Sequence, residues 1–337
     1  MLNFAAALAP VVCLLVMLVL MDSFKLVPSR RVAEALLAGA VTGVVALVLN
    51  QLVIQRLGVP IPLVTRLVAP IFEECLKLLF VVHVVRQRRV GFPVDAAILG
   101  FAVGTGFALV ENGYYLGALQ SGGPVLWLVR GFGAAVLHGA ATAIAAIVSQ
   151  ALAARRSNPP LTVFLPGLGA AIAIHALYNQ FVLPPVVATL LILTILPPLL
   201  LWIFERSERA AREWVSAGLD LDVELLQLVL SDEFNDTRLG AYLQELRSRF
   251  PGPVVADMFC LMRLELELGI RAKGMLMARE AGIDMPVDEE VLQSLAEVRY
   301  LEKSIGRTGM LALTPLQVSS DRDEWHRFLL QESRRRA

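Results

Sequence analysis

Paired cysteines are missing from this 337-residue sequence, which has only three cysteines, far apart at Cys13, Cys75 and Cys260. That spacing excludes a disulfide framework and a CxxC metal site. The histidines form no HExxH pair, so the helical two-histidine motif of many zinc peptidases is absent too. After residue 204 there is also no glycine-rich phosphate loop, no cluster of metal ligands and no internal repeat. Those absences argue against chemistry in that part of the chain.

Charged residues are scarce as well, at 18% of the sequence against 56% hydrophobic residues, which is typical of a membrane protein. Residues 1–204 hold only 6 of the 30 acidic residues and 12 of the 30 basic ones. The other 24 acids and 18 bases crowd into residues 205–337, so that part carries a net negative charge. We therefore predict a transmembrane domain over 1–204 and a separate domain over 205–337, and we expect no nucleic-acid partner.

Long apolar runs fill the first domain, and each is long enough to cross a bilayer as a helix. The first run has no basic residues before it and is followed by Lys25, which indicates an uncleaved span with its N-terminus outside. The predicted fold class is all-α, a polytopic membrane helix bundle of about seven spans with a helical C-terminal domain. The predicted spans cover residues 4–21, 32–55, 63–85, 94–118, 125–153, 160–182 and 186–204.

Basic clusters follow every second predicted span, so seven spans place all of them on one side of the membrane. The positive-inside rule assigns that side to the cytoplasm. We therefore predict a multi-pass protein of the cell (inner) membrane, with the N-terminus outside and the C-terminal domain in the cytoplasm. The clusters are Lys25 with Arg30 and Arg31, Arg86 with Arg88 and Arg89, Arg155 with Arg156, and Arg206 with Arg209 and Arg212.

Beyond residue 204 the apolar residues recur at intervals of three and four with charges between them, which predicts amphipathic helices. Pro251-Gly252-Pro253 and Pro286 break this pattern. We predict a helical cytosolic domain over 205–337 with a regulatory, structural or partner-binding role. We expect this domain to bind a cytosolic regulator or to mediate self-association.

Three charged side chains, Glu73, Glu74 and Lys77, interrupt the third predicted span near the bilayer centre. One such charge there costs roughly 2.5 to 3.5 kcal/mol on insertion scales, so three within five positions need a reason. Lysine lies three and four positions after the glutamates, and one glutamate can therefore pair with it on the helix face. One acid is left over, and this favours a functional site.

Further polar residues fall at comparable depth in three later spans. They are Glu111 and Asn112, then His138, and then His175 with Asn179 one turn later. Each alone is compatible with a buried hydrogen bond between helices. Their common depth predicts a polar site assembled from several helices.

Four motifs in order, on four consecutive predicted spans, carry a resemblance to a known family. The sequence resembles the PrsW family of intramembrane proteases and, more distantly, the superfamily of type II CAAX prenyl endopeptidases and bacteriocin-processing enzymes. The motifs are EExxK at Glu73 to Lys77, FxxxEN at Phe107 to Asn112, an arginine and a histidine at Arg130 and His138, and a histidine with an asparagine at His175 and Asn179.

This resemblance implies hydrolysis of peptide bonds in membrane-anchored proteins, such as single-span anti-sigma-like regulators. In a glutamate-dependent version, Glu73 or Glu74 is the base, His175 helps to orient the water and Asn179 stabilises the oxyanion. The expected catalytic residues are Glu73, Glu74, Lys77, Glu111, Asn112, His138, His175 and Asn179.

A metal-dependent version is also compatible with the resemblance. In that version Glu111, His138 and His175 would be the ligands of zinc or another divalent metal, and Glu73 or Glu74 would be the base. The sequence does not choose between the two versions.

Two other classes of function remain open on the residues alone. A noncatalytic membrane receptor or scaffold would signal through the cytosolic domain and would not need the intramembrane glutamates. A proton-coupled transporter would use buried acids and histidines as a relay, but it predicts matching halves with broken helices, which the sequence does not show.

Overall fold

The structure, a computed structural model, describes residues 2–119, 123–154, 159–283, 285–286, 288–316 and 323–334. Within these residues all regular secondary structure is helical, and this confirms the predicted all-α class. Arg155 and Arg156, one of the basic clusters used to predict orientation, lie outside the described residues. The chain divides into two compact units, Met1–Glu208 and Arg209–Ala337.

The first unit is called here the membrane unit. Short π-helical segments at Val64–Val68 and Val129–Ala135 precede α4 and α7, and a 3-10 turn at Leu161–Phe164 precedes α8. Its helices are α1 (Leu2–Leu20), α2 (Ser29–Leu57), α3 (Ile61–Leu63), α4 (Ala69–Arg86), α5 (Pro93–Ala118), α6 (Pro124–Leu128), α7 (Val136–Ala153), α8 (Leu165–Asn179) and the first part of α9 (Pro185–Leu230).

Six helical segments of the described chain are long and apolar enough to span a membrane, which agrees with a multi-pass membrane protein. The predicted span 63–85 is not among them, because α4 carries Glu73, Glu74, Lys77 and Arg86. Helical structure nevertheless runs without a break from α3 to the end of α4. A seventh span and the orientation of the chain stay predictions. The six segments are Asn3–Leu20, Ser29–Leu57, Pro93–Ala118, Pro124–Ala153, Leu161–Asn179 and Pro185–Leu230.

Helix α5 lies at the centre of the membrane unit, and glycines let its neighbours approach at backbone distance. A methyl group at Gly106 would overlap the Leu36 carbonyl of α2, and one at Gly104 would overlap the His138 carbonyl of α7. Small residues of this kind allow close helix packing in lipid, where dispersion rather than the hydrophobic effect drives association. Helix α5 therefore fixes α2 and α7 relative to each other.

The described residues of the second unit, Arg209–Ala337, contain the rest of α9 and four further α-helices. Helix α11 packs against both α12 and α13, with Leu268 and Leu276 almost fully buried. The predicted domain boundary after residue 204 and the observed division after Glu208 both fall within α9. The helices are α10 (Arg238–Leu246), α11 (Gly252–Glu280), α12 (Glu289–Leu313) and α13 (Asp323–Arg334).

Candidate active site

Glu74 and Lys77 form a buried ion pair within α4. The Lys77 Nζ lies 2.6 Å from Glu74 Oε1, and the two side chains are 0% and 1% exposed. The spacing of three residues places both on one helix face, as the sequence analysis anticipated for one of the two glutamates. An ion pair removed from water is stable only with good geometry and further hydrogen bonds, which the neighbouring histidines supply.

Glu73 is the acid left over from this pairing. Its Oε1 accepts a hydrogen bond from Asn50 Nδ2 of α2 at 3.0 Å, and its Oε2 lies 3.8 Å from His175 Nε2. Among the described residues no lysine or arginine forms an ion pair with it. The side chain is only 7% exposed, so a carboxylate without a fixed cationic partner is held inside the membrane unit.

The partners of His175 determine its tautomer. Its Nδ1 lies 2.8 Å from Glu74 Oε1, the same oxygen that accepts from Lys77. An ionised carboxylate can only accept, so Nδ1 carries the proton and Nε2 of the neutral ring offers a lone pair on the side of Glu73. Histidines that bind a metal or a water molecule are usually oriented by a carboxylate in this way.

His138 lies between Lys77 and Glu111. Lys77 Nζ can only donate, so the His138 Nδ1 at 3.1 Å is the acceptor, and Nε2 donates to Glu111 Oε2 at 3.1 Å. The His138 ring stands edge-on to the ring of His175, with centroids 4.8 Å apart. Phe107, the first residue of the FxxxEN motif, supports both partners, because its ring lies 4.9 Å from His138 and under the Lys77 ammonium.

Glu111 and Asn112 bind Arg130 at one side of this cluster. Arg130 Nη2 lies 3.2 Å from Glu111 Oε2, and Arg130 Nε donates to Asn112 Oδ1 at 2.9 Å. The Asn112 amide in turn donates to the Ala7 carbonyl of α1 at 2.8 Å. The FxxxEN motif thus has two functions: Glu111 orients His138, while Asn112 fixes the helices.

Asn179 contacts a backbone carbonyl in the structure, and its oxyanion role stays a prediction. Pro70 lacks the N–H that would bond Arg66 in an α-turn or Thr65 in a π-turn, so one of these two carbonyls loses its backbone donor. The amide of Asn179 donates to the Thr65 carbonyl at 2.9 Å, and that of Gln180 donates to the Arg66 carbonyl at 3.3 Å. Side chains at the end of α8 therefore compensate for the hydrogen bond lost at the proline.

The π-helical segments directly precede the site residues of α4 and α7. Val64–Val68 ends one turn before Glu73, and Val129–Ala135 ends shortly before His138. Such widened turns occur frequently at functional sites, because they rotate the following residues relative to a regular helix. They explain how Arg130 and His138 both reach Glu111.

Glu73, His138 and His175 could hold a metal, because one ligand atom from each lies within 4.8 Å of the others. His138 would then exchange its bond to Lys77 or Glu111 for the metal. All three residues are buried, and two histidines with one glutamate are a known donor set for catalytic zinc. This group differs from the predicted ligands by one member, since Glu73 stands in the place of Glu111. Glu111 is instead engaged by Arg130.

Sequence reasoning did not include Asn50 in the site. A signal was available, because Gly39, Gly43, Ala46 and Asn50 follow one another at helical spacing on one face of α2. Both glycines contact α5, and this places the face inward.

A family model described as "PrsW family intramembrane metalloprotease" matches residues 27–203, which is more than half of the chain. The match includes every residue of the buried cluster. No match was found among curated proteins or among solved structures.

Proposed function

Because the chain belongs to the PrsW family of intramembrane metalloproteases, we propose that it hydrolyses peptide bonds of membrane-anchored proteins, with single-span regulators as the substrate class. One observation carries the proposal for the site. Glu73, Glu74, Lys77, His138 and His175 come from three helices, are at most 5% exposed and contact one another. A purely structural membrane bundle gains nothing from burying more acids than it can pair.

The proposal gives the two glutamates different roles. Oε1 of Glu74 already accepts from Lys77 and His175, so Glu74 is a positioning residue that sets the direction of the His175 ring. Glu73 has no such cation and lies 3.8 Å from His175 Nε2, close enough for one water molecule beside the two atoms to hydrogen-bond to both. Glu73 is therefore the carboxylate that acts on the reacting water.

Hydrolysis requires a proton to leave the water and a proton to reach the departing amine. Glu73 takes the first and returns it as the second, while His175 Nε2 accepts a hydrogen bond from the same water. Lys77 and Glu111 hold His138 from its two nitrogens. Glu73, His138 and His175 would hold a divalent metal, and one nitrogen of His138 would then exchange its bond to Lys77 or Glu111 for the metal. The metal would polarise the scissile carbonyl and acidify its water, and Glu73 would act as a ligand in place of its role as base.

Replacement of Glu73 by glutamine tests the proposal. In purified chain reconstituted with a single-span reporter, Glu73→Gln should lower cleavage by about 10²- to 10⁴-fold, the range for loss of a general base. Cys75→Ser is the matched control, because Cys75 lies on the same helix but is exposed. Failure of the wild-type chain to cut a panel of single-span reporters, or full cleavage by Glu73→Gln, would overturn the proposal.

Metal analysis decides how Glu73 acts on the water. One bound zinc per wild-type chain, lost together with cleavage on chelation and absent from Glu73→Gln, assigns Glu73 to the metal ligands. Full cleavage by metal-free protein assigns it to direct proton transfer.

The alternatives make different predictions in the same preparation. A receptor or scaffold would keep its cellular phenotype in Glu73→Gln, and a proton-coupled transporter would show proton or solute flux in liposomes. The family match and the balance of donors and acceptors around His138 and His175 favour the protease.

We also propose that Arg209–Ala337 lies in the cytoplasm and controls the site through a regulator or through self-association. Its helical composition and the basic residues near Arg209 support this placement. Deletion of 215–337 should change the rate or regulation of reporter cleavage. Unchanged cleavage and regulation would contradict a controlling role.

A further inference from the structure

Asn50 lies on the face of α2 that packs against the bundle. A methyl at Gly43 would touch Phe107 and Val110 of α5, and Ala46, one turn on, is only 1% exposed. Asn50 follows Ala46 by four residues and so continues this face. Close packing upstream therefore fixes the position from which the Asn50 side chain reaches α4.

Asn50 is in contact with one oxygen of Glu73. Its Nδ2 donates to Oε1 at 3.0 Å, and this leaves Oε2 on the side of His175. The Oδ1 of Asn50 is buried and has no hydrogen-bond partner among the described residues. A buried acceptor without a partner is costly, so its retention beside the reactive carboxylate calls for an explanation.

We propose that Asn50 is a positioning residue for Glu73, a role that rests on the proposed proteolytic function. As donor it holds Oε1 and so aims Oε2 at the reacting water beside His175. A carboxamide supplies this donor without adding a charge, and its unpartnered Oδ1 is the cost of that arrangement.

The first test separates kcat from KM on a single-span reporter that the wild-type chain cleaves. Asn50→Leu keeps a similar volume but removes the donor, and it should lower kcat about 10- to 100-fold with KM unchanged, as is typical when support of a reacting group is lost. Asn50→Gln retains an amide and should recover part of this loss. Gln51→Leu is the matched control, since the neighbouring amide is exposed.

The second test measures the contact without activity. Melting temperatures are compared for Asn50→Leu, Glu73→Gln and the double variant. If the two side chains interact, the shift of the double variant should differ from the sum of the single shifts. Gln51→Leu combined with Glu73→Gln should be additive.

The outcomes distinguish this inference from the proposed function. If the wild-type chain and Asn50→Leu cleave with equal kcat while Glu73→Gln is inactive, the inference fails and the protease stands. A rise in KM alone, or additive melting shifts, overturns it as well. If Asn50→Leu does not fold, Asn50→Gln and Asn50→Asp give the same comparison, because only the former keeps the donor.

Discussion

The membrane unit and the second unit each contain a lysine–carboxylate pair at 2.6 Å, Lys77 with Glu74 and Lys273 with Asp222. In the second unit the pair consists of one positive and one negative charge, and Lys273 also donates to the Gly218 carbonyl at 3.0 Å. In the membrane unit the pair has the neighbouring acid Glu73, which it does not neutralise. A pair with matched charges stabilises the fold, whereas a cluster with one carboxylate more than its lysine can neutralise has a group available for chemistry.

Surface ion pairs extend this contrast. In the second unit Arg271 reaches Asp288 and Glu290, and these three side chains are 44%, 65% and 74% exposed. Such pairs gain little, because water and salt screen them. The exposure of an ion pair to solvent, more than the distance between its charges, thus decides how much it contributes to the free energy of unfolding.

The largest effect is expected for Lys77→Met, which leaves Glu74 buried beside His175 without its cation. Loss of one partner of a fully buried pair costs about 3–5 kcal/mol in the free energy of unfolding. We expect cleavage to be lost as well. Denaturant titration followed by circular dichroism measures the first effect, and reporter cleavage the second.

The double variant Glu74→Gln with Lys77→Met is the control for that prediction. Removal of both charges should restore much of the stability, while cleavage should stay lost because His175 has no ionised support. Equal stability of the single variant and the wild type would show that Glu74 is not held by Lys77.

A smaller effect is expected for Lys273→Met in the second unit. Asp222 keeps 13% exposure, so water relieves part of the penalty, and we expect a loss of about 1–3 kcal/mol with reporter cleavage retained. The Lys273 ammonium lies 5.0 Å from the Trp214 ring, so tryptophan fluorescence follows unfolding of this region. A loss as large as that of Lys77→Met would remove the distinction between the two pairs.

The smallest effect is expected for Arg271→Ala. Its partners are exposed, so the free energy of unfolding should change by less than about 1 kcal/mol, and the change should shrink further in high salt. Denaturant titration at two salt concentrations measures it. A larger loss that is independent of salt would assign Arg271 a packing role.

Much of this contrast could be predicted from sequence, because it depends on spacing along one helix. The EExxK spacing predicts that one glutamate pairs with Lys77, and the structure identifies it as Glu74. The apolar runs predict the helical bundle in the same way. Span 63–85 is the exception, since α4 carries four charged residues, more than a typical membrane span holds.

Contacts between helices were harder to predict. The predicted ligand set had Glu111 where the spacing in the structure groups Glu73 with His138 and His175. The rotation of α4 and α7 about their axes depends on the π-helical segments before them, which have no clear sequence signal. The contact of Asn179 with the Thr65 carbonyl, near Pro70, was not foreseen because it is visible only in three dimensions. Asn50 was missed because it lies on a helix without a family motif.

The hydrogen bonds at Pro70 also constrain motion. If α8 moved away from α4, the carbonyls of Thr65 and Arg66 would lose the amides of Asn179 and Gln180, and each unpaired carbonyl in hydrocarbon costs several kcal/mol. We therefore expect α4 and α8 to move together, which would keep Glu73 and His175 at nearly constant separation. On that expectation the helices that open to admit a substrate are others of the membrane unit.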